Sequence, residues 1–251
     1  VIFLALQQTH ISFLKEIMIS NPEYFKDIDK KSLFYGSVYP DTFYVNFLHG
    51  KSNFSLYIHA NKSVKSIIDL GKNLLENSKN SFERSFSLGF ISHFFLDRRI
   101  HTYLENIGFA KGAEHLVLEF YLHTKVLKTE KIIIYKTPKR LLKKVFNKNL
   151  FNGTKFKYNF IPSYLRQKLY LFVCNYILKE TIAIRYLKTK KSNFFKNLFL
   201  RVSYYPAFKS YGYKIHTLFY PEQDFLDKHI PFLIKEYNAA KKDYINFLKS
   251  I

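Results

Sequence analysis

Residues 87–105, SLGFISHFFLDRRIHTYLE, constrain this chain more than any other stretch. His93, Asp97 and His101 recur at i, i+4 and i+8, and each step of four turns a helix by only about 40°. All three therefore fall on one stripe of a helix. Leu88, Phe90, Ile91, Phe94, Phe95, Leu96 and Ile100 surround that stripe, so the helix is expected to be buried up to Arg98. Burying an aspartate between two histidines is costly unless something neutralises and hydrogen-bonds it. A metal ion does both. A His-Asp pair facing water would satisfy the same residues without one.

The next helical segment repeats the pattern. EHLVLEFYLH, residues 114–123, sets His115 and Glu119 at i, i+4, with His123 four further on. The 14 positions from His101 to His115 include Gly108 and Gly112. They leave room for a helix end, a turn and a return. An antiparallel pair would bring the two stripes together, a known way to build carboxylate-bridged metal sites in helical proteins. Upstream, His10 stands near the start of the first helix and Asp41 follows Pro40 in a turn. His49 and His59 flank a polar stretch. Seven of the nine histidines lie between positions 10 and 123. His216 and His229 fall outside this cluster and read as surface or core residues. The only cysteine is Cys174, so a metal here is held by His and carboxylate, the donors zinc takes when Cys is missing.

Scarce turn formers (8 Gly, 7 Pro) and long Leu/Ile/Phe/Lys runs favour helices. Helices are expected over 9–19 with Thr9 as N-cap, 62–77, 81–105, 112–128, 163–190, 192–202 and 223–250. Residues 34–41 read as turn-rich because of Gly36 and Pro40. KIIIY at 131–135 is a candidate strand and 203–222 a loop. No flexible linker is evident, so the chain reads as one all-α domain over 1–251. Its parts are a metal-ligand core at 9–123, a basic region at 124–222 and a closing helix at 223–250.

The formal charge of +21 is unevenly placed. Residues 1–123 carry 13 Lys/Arg and 12 Asp/Glu, whereas 124–251 carry 27 and 7. A basic half suits an anionic partner, either a lipid surface or nucleic acid. A Lys-rich solvated helix surface accounts for the same excess equally well. Clusters such as Lys139-Arg140-Leu141-Leu142-Lys143-Lys144 suit an anionic membrane. Phe194, Phe195 and Phe199 among Lys190, Lys191 and Lys196 suit stacking on single-stranded nucleic acid. No apolar run reaches the ~18–20 residues of a spanning helix. Val1 to Leu6 are apolar without a basic segment before them, and read as the end of an export signal or as the first element. The chain as it stands is expected in the cytoplasm or peripheral to a membrane, and exported if residues upstream of Val1 form a signal peptide.

The order of TH at 9–10, GSVYPD at 36–41, IHANK around His59, SLGFISHFFLD at 87–97, His101 and HLVLE at 115–119 resembles the bacterial zinc-dependent phospholipase C family. The S1/P1-type nucleases share this layout. The resemblance covers residues 9–119, and weakly 223–250. It implies an all-α bundle of the phospholipase C / P1 nuclease type with zinc in a cleft. It also implies that His10, Asp41, His59, His93, Asp97, His101, His115 and Glu119 are the metal ligands. His49 competes with His59, and the gap from Asp41 to His59 is longer than in familiar members. Those members also space the His101 equivalent two residues further from the Asp. Two zinc ions are expected. A third, shared by His10 and Asp97, uses a mature N-terminal residue, usually Trp, and this chain has no Trp.

The implied activity is hydrolysis of a phosphodiester, with Asp41 as a ligand doubling as general base. Glu119 leans towards phospholipases, because the nucleases have Asp there. The expected substrate is therefore a phospholipid head group. The alternatives are a single-strand nuclease or a non-catalytic, basic, membrane-adsorbing member of the fold.

Overall fold

The computed structural model describes residues 7–42, 63–109, 113–126, 135–147 and 223–251. Every regular element among them is helical. Helix α1 spans Gln7–Ser20, a 3-10 turn Pro22–Phe25, α2 Lys30–Thr42, α3 Val64–Glu76, α4 Ser81–Asn106, α5 Ala113–Val126, α6 Lys139–Asn147 and α7 Gln223–Lys249. The expected all-α class is therefore what the chain adopts. Helices 163–190 and 192–202, the loop 203–222 and most of the candidate strand at 131–135 lie outside the described residues.

Helix α4 is the centre of the bundle and is buried almost without interruption from Ser85 to Asp97. Its start is fixed by reciprocal capping. The Asn80 side chain accepts from the Glu83 N–H at 2.9 Å, and the Glu83 carboxylate accepts from the Lys79 N–H at 2.8 Å. Glu83 is itself buried, and Arg140 of α6 meets it at 3.2 Å. At the other end α4 closes in a Schellman motif. Gly108 N–H bonds Glu105 O at 3.0 Å and Phe109 N–H bonds Leu104 O at 2.7 Å. Gly108 has φ +84°, the left-handed conformation that such a cap requires.

Two sequence expectations are corrected. Residues 34–41 are not a turn but most of α2, with Pro40 inside the helix. Proline there removes one backbone hydrogen bond and costs ~3 kcal/mol. Leu33, Tyr35, Val38 and Tyr39 are all fully buried in return, at roughly 1.5–3 kcal/mol for each apolar side chain. Tyr39 packs edge-on against Phe86 at 5.2 Å and Tyr35 at 5.5 Å. Packing outweighs the local preference. Thr9 is likewise not the cap of α1; the helix begins earlier, at Gln7, and Thr9 is buried within it. Residues 139–147, read only as a cationic cluster, form a short amphipathic helix. Leu141, Leu142, Val145 and Phe146 face the core, while Lys139, Arg140, Lys143 and Lys144 are exposed.

The glycine in residues 34–41 serves contact instead of a turn. A Cβ on Gly36 would stand 2.3 Å from the Phe86 carbonyl oxygen, and one on Gly89 would stand 1.9 Å from that of Leu33. Helices α2 and α4 therefore cross with their backbones touching. Helix α7 closes the other side of α4. Tyr244 Oη donates to Leu88 O at 2.9 Å, and Arg99 meets Asp243 at 2.8 Å. Lys241 ties α7 to Glu16 of α1 at 2.7 Å. Gly89→Ala is expected to lower stability by at least ~1–3 kcal/mol, the range for overpacking a closed core. The check is the urea midpoint; an unchanged midpoint would refute the touching crossing.

Candidate metal centre

Gly89, His93, Asp97 and His101 follow one another at intervals of four on α4. The stripe drifts by about 40° per step, so successive members face different neighbours. Gly89 meets α2. His93 faces α2 as well, with Nδ1 donating to the Ser37 carbonyl at 2.9 Å and Nε2 at 3.7 Å from Asp41 Oδ1. Asp97 turns to α1, with Oδ1 at 3.2 Å from His10 Nε2. His101 reaches α5, with Nε2 at 3.6 Å from Glu119 Oε1.

Two groups of potential ligands result. His10, His93 and Asp97 form one, and His101, His115 and Glu119 the other. In the first, His93 Nε2 lies 2.9 Å from Asp97 Oδ2, and the rings of His10 and His93 stack at 4.0 Å. In the second, His115 Nε2 lies 2.8 Å from Glu119 Oε1. Asp97 joins the two, because its Oδ1 is also 3.9 Å from His101 Nε2. All but one of these residues are buried; the His101 side chain is 29% exposed and marks the side open to solvent. His49, His59 and the side chain of His123 lie outside the described residues.

The donor set fits zinc. Donors bound tetrahedrally at ~2.0–2.1 Å lie ~3.4 Å apart, and spacings of 2.8 to 3.9 Å bracket that value. Neither ring nitrogen of His10 and neither carboxylate oxygen of Glu119 has a partner of hydrogen-bond geometry among the described residues. Leaving a buried polar group so costs about 1–3 kcal/mol, more if it is charged. Such atoms, each facing other potential ligands without good hydrogen-bond geometry, are what ligands converging on an ion look like. Two backbone carbonyls orient the rings. Ser37 O accepts from His93 Nδ1 and Phe109 O from His115 Nδ1, each at 2.9 Å. Each leaves Nε2 turned towards the carboxylates. Backbone acceptors carry no residue signature, so the sequence did not reveal them; only Gly108, which turns the chain into Phe109, hinted at the second.

Without metal the cluster holds itself by charge. Burial opposes the His93 cation, but Asp97 and then Asp41 outweigh it and raise the ring to about 9. Burial also opposes ionised Asp97, yet His93 and His10 hold it well below the usual carboxylate range. Burial lowers His10, helped by the His93 charge. His115 is raised because Glu119 overcomes its burial.

The family model described as zinc dependent phospholipase C matches residues 9–170. No curated protein and no solved structure matches the chain significantly.

An ion bound by His93 must displace the proton that this ring holds at neutral pH. Zinc uptake at pH 7 is expected to release protons, measured by titration calorimetry in buffers of different ionisation enthalpy. Apparent affinity should rise with pH up to about 9. The stability of the metal-free protein runs the other way. The folded-state pKa of His93 lies above its ordinary 6.5, so its contribution is full below about 6.5 and is lost as pH rises through about 9. Thermal melts of metal-free protein should weaken across that interval, and melts of zinc-loaded protein should not. Buffer-independent heats would contradict this arrangement.

Proposed function

The chain belongs to the zinc dependent phospholipase C family, and we propose that it hydrolyses the phosphodiester bond of phospholipid head groups. The observation that carries this reading is the pair of ligand groups meeting through Asp97. In this reading His10, His93 and Asp97, joined by Asp41, hold one zinc ion, and His101, His115 and Glu119 hold a second. His59 completes the set by resemblance alone. A third ion would take His10 from the first, use Asp97 as a bridging carboxylate and need a further ligand from elsewhere.

Zinc, when bound, polarises phosphoryl oxygens and lowers the pKa of a water towards ~7. The chain's own residues do the rest. The Ser37 and Phe109 carbonyls hold His93 and His115 with Nε2 inward. Asp97 keeps the two groups in register. Asp41, beside His93 Nε2, takes the proton of the attacking water at its carboxylate. The buried floor excludes bulk water and leaves the His101 side for the substrate.

No helix among the described residues is long and apolar enough to cross a membrane. Glu119, where the related nucleases carry Asp, supports a phospholipid over a nucleic-acid substrate. The test pairs metal analysis with two substrates. Purified protein should hold zinc stoichiometrically and release soluble phosphorylated head group from phosphatidylcholine vesicles, leaving single-stranded DNA intact. Cleavage of DNA alone would overturn the substrate; absence of zinc would overturn the site. His93→Ala and Glu119→Ala should each lose metal. Asp41→Asn should keep most of the zinc while turnover falls by roughly 10²–10⁴, the usual contribution of a general base.

A further inference from the structure

His229 lies on α7, away from both ligand groups in sequence, yet it is buried in an aromatic cluster that ends at the metal centre. Its Nδ1 shares a hydrogen bond with Tyr103 Oη at 3.1 Å. Its ring meets Phe109 edge-on, with centroids 5.7 Å apart at 81°. Phe225 packs on both, at 5.1 Å from His229 and 5.6 Å from Phe109.

Phe109 is thereby held at three points. Its N–H is bonded in the Schellman cap of α4 to Leu104 O. Its side chain is seated between His229 and Phe225. Its carbonyl accepts from His115 Nδ1 at 2.9 Å, and His115 Nε2 faces Glu119 at 2.8 Å. An apolar residue at position 229 would fill the same space. A histidine adds a hydrogen bond that fixes its own ring plane, and so fixes the wall against which Phe109 rests.

We infer that His229 is a positioning residue for the metal centre: held by Tyr103, it seats Phe109 so that the Phe109 carbonyl orients His115 towards the ion. The inference rests on the reading of His115 as a ligand. It requires that disturbing His229 weaken the half of the site containing His115 and spare the half containing His93. A residue that merely supports α7 would not discriminate in this way.

The experiment is zinc affinity by chelator competition on the full chain, at pH 7, with the steps assigned by His115→Ala and His93→Ala. His229→Ala is expected to weaken the His115-dependent step by about tenfold or more, the scale on which outer hydrogen-bond partners act on metal sites, and to leave the His93-dependent step unchanged. Tyr103→Phe removes one hydroxyl and no core volume, and should weaken the same step less. Leu233→Ala is the control; it opens a cavity at a fully buried position of α7 and should not discriminate between the steps. The inference is overturned if His229→Ala weakens both steps equally, as a general loosening would, or weakens neither. Should His229→Ala not fold, Tyr103→Phe decides, and an unchanged His115-dependent step overturns it. Wild-type protein that takes up no zinc overturns the metal reading itself, and this inference with it.

Discussion

The bare crossing of α2 over α4 at Gly36 and Gly89 is the constraint from which the centre follows. With no Cβ between the two backbones, the residue after Gly36 brings its carbonyl within 2.9 Å of His93 Nδ1. The same approach puts Asp41, further along α2, beside His93 Nε2. A side chain at either glycine would move α2 outwards and separate both contacts at once. The histidine is therefore oriented by helix packing rather than by a loop, and its precision is that of a close-packed interior.

From His93 onwards the mismatch between four residues and one helical turn distributes the site. Each step of the stripe turns about 40°, which carries it from α2 to α1 to α5. A strict period of 3.6 would have aimed every group at the same neighbour. Because the stripe drifts, one helix recruits ligand candidates from three others, and Asp97, in the middle, is reached from both sides. That position explains its electrostatics: the neighbouring histidines, His93 foremost, outweigh the burial that opposes its ionisation.

How much of this could be read from sequence depended on whether side chains or backbone carried the signal. The helix from Ser81 to Asn106 and its polar stripe were legible, because periodicity against an apolar background is a side-chain pattern. The pairing of that stripe with His115 and Glu119 was legible for the same reason. Helix α2 was not, since Gly36 and Pro40 are local signals for a turn and the reason to override them, contact with Phe86, Gly89 and Phe90 of α4, is tertiary. Helix α6 was missed because nine residues are too few for a periodic count, and the lysines dominated the reading. The two orienting carbonyls, of Ser37 and Phe109, are invisible in principle.

The cluster also occupies a place that an ordinary helical bundle would give to leucine. His10, His93, His115 and Glu119 are as buried as the apolar core around them, so stability and function are not separable here. Buried ionisable groups are tolerable when charge pairs compensate them, and breaking a pair leaves an uncompensated charge. Without metal, His93 with Asp97 and His115 with Glu119 supply that compensation by charge, while among the described residues neither His10 nor the oxygens of Glu119 gain a partner of good hydrogen-bond geometry. An ion would satisfy those remaining atoms and replace the proton held between His93 and Asp97. Metal binding in such a core is then part of folding free energy as well as of chemistry. Among the described ligand candidates only His101 is half-open, and the solvent side of the site falls there.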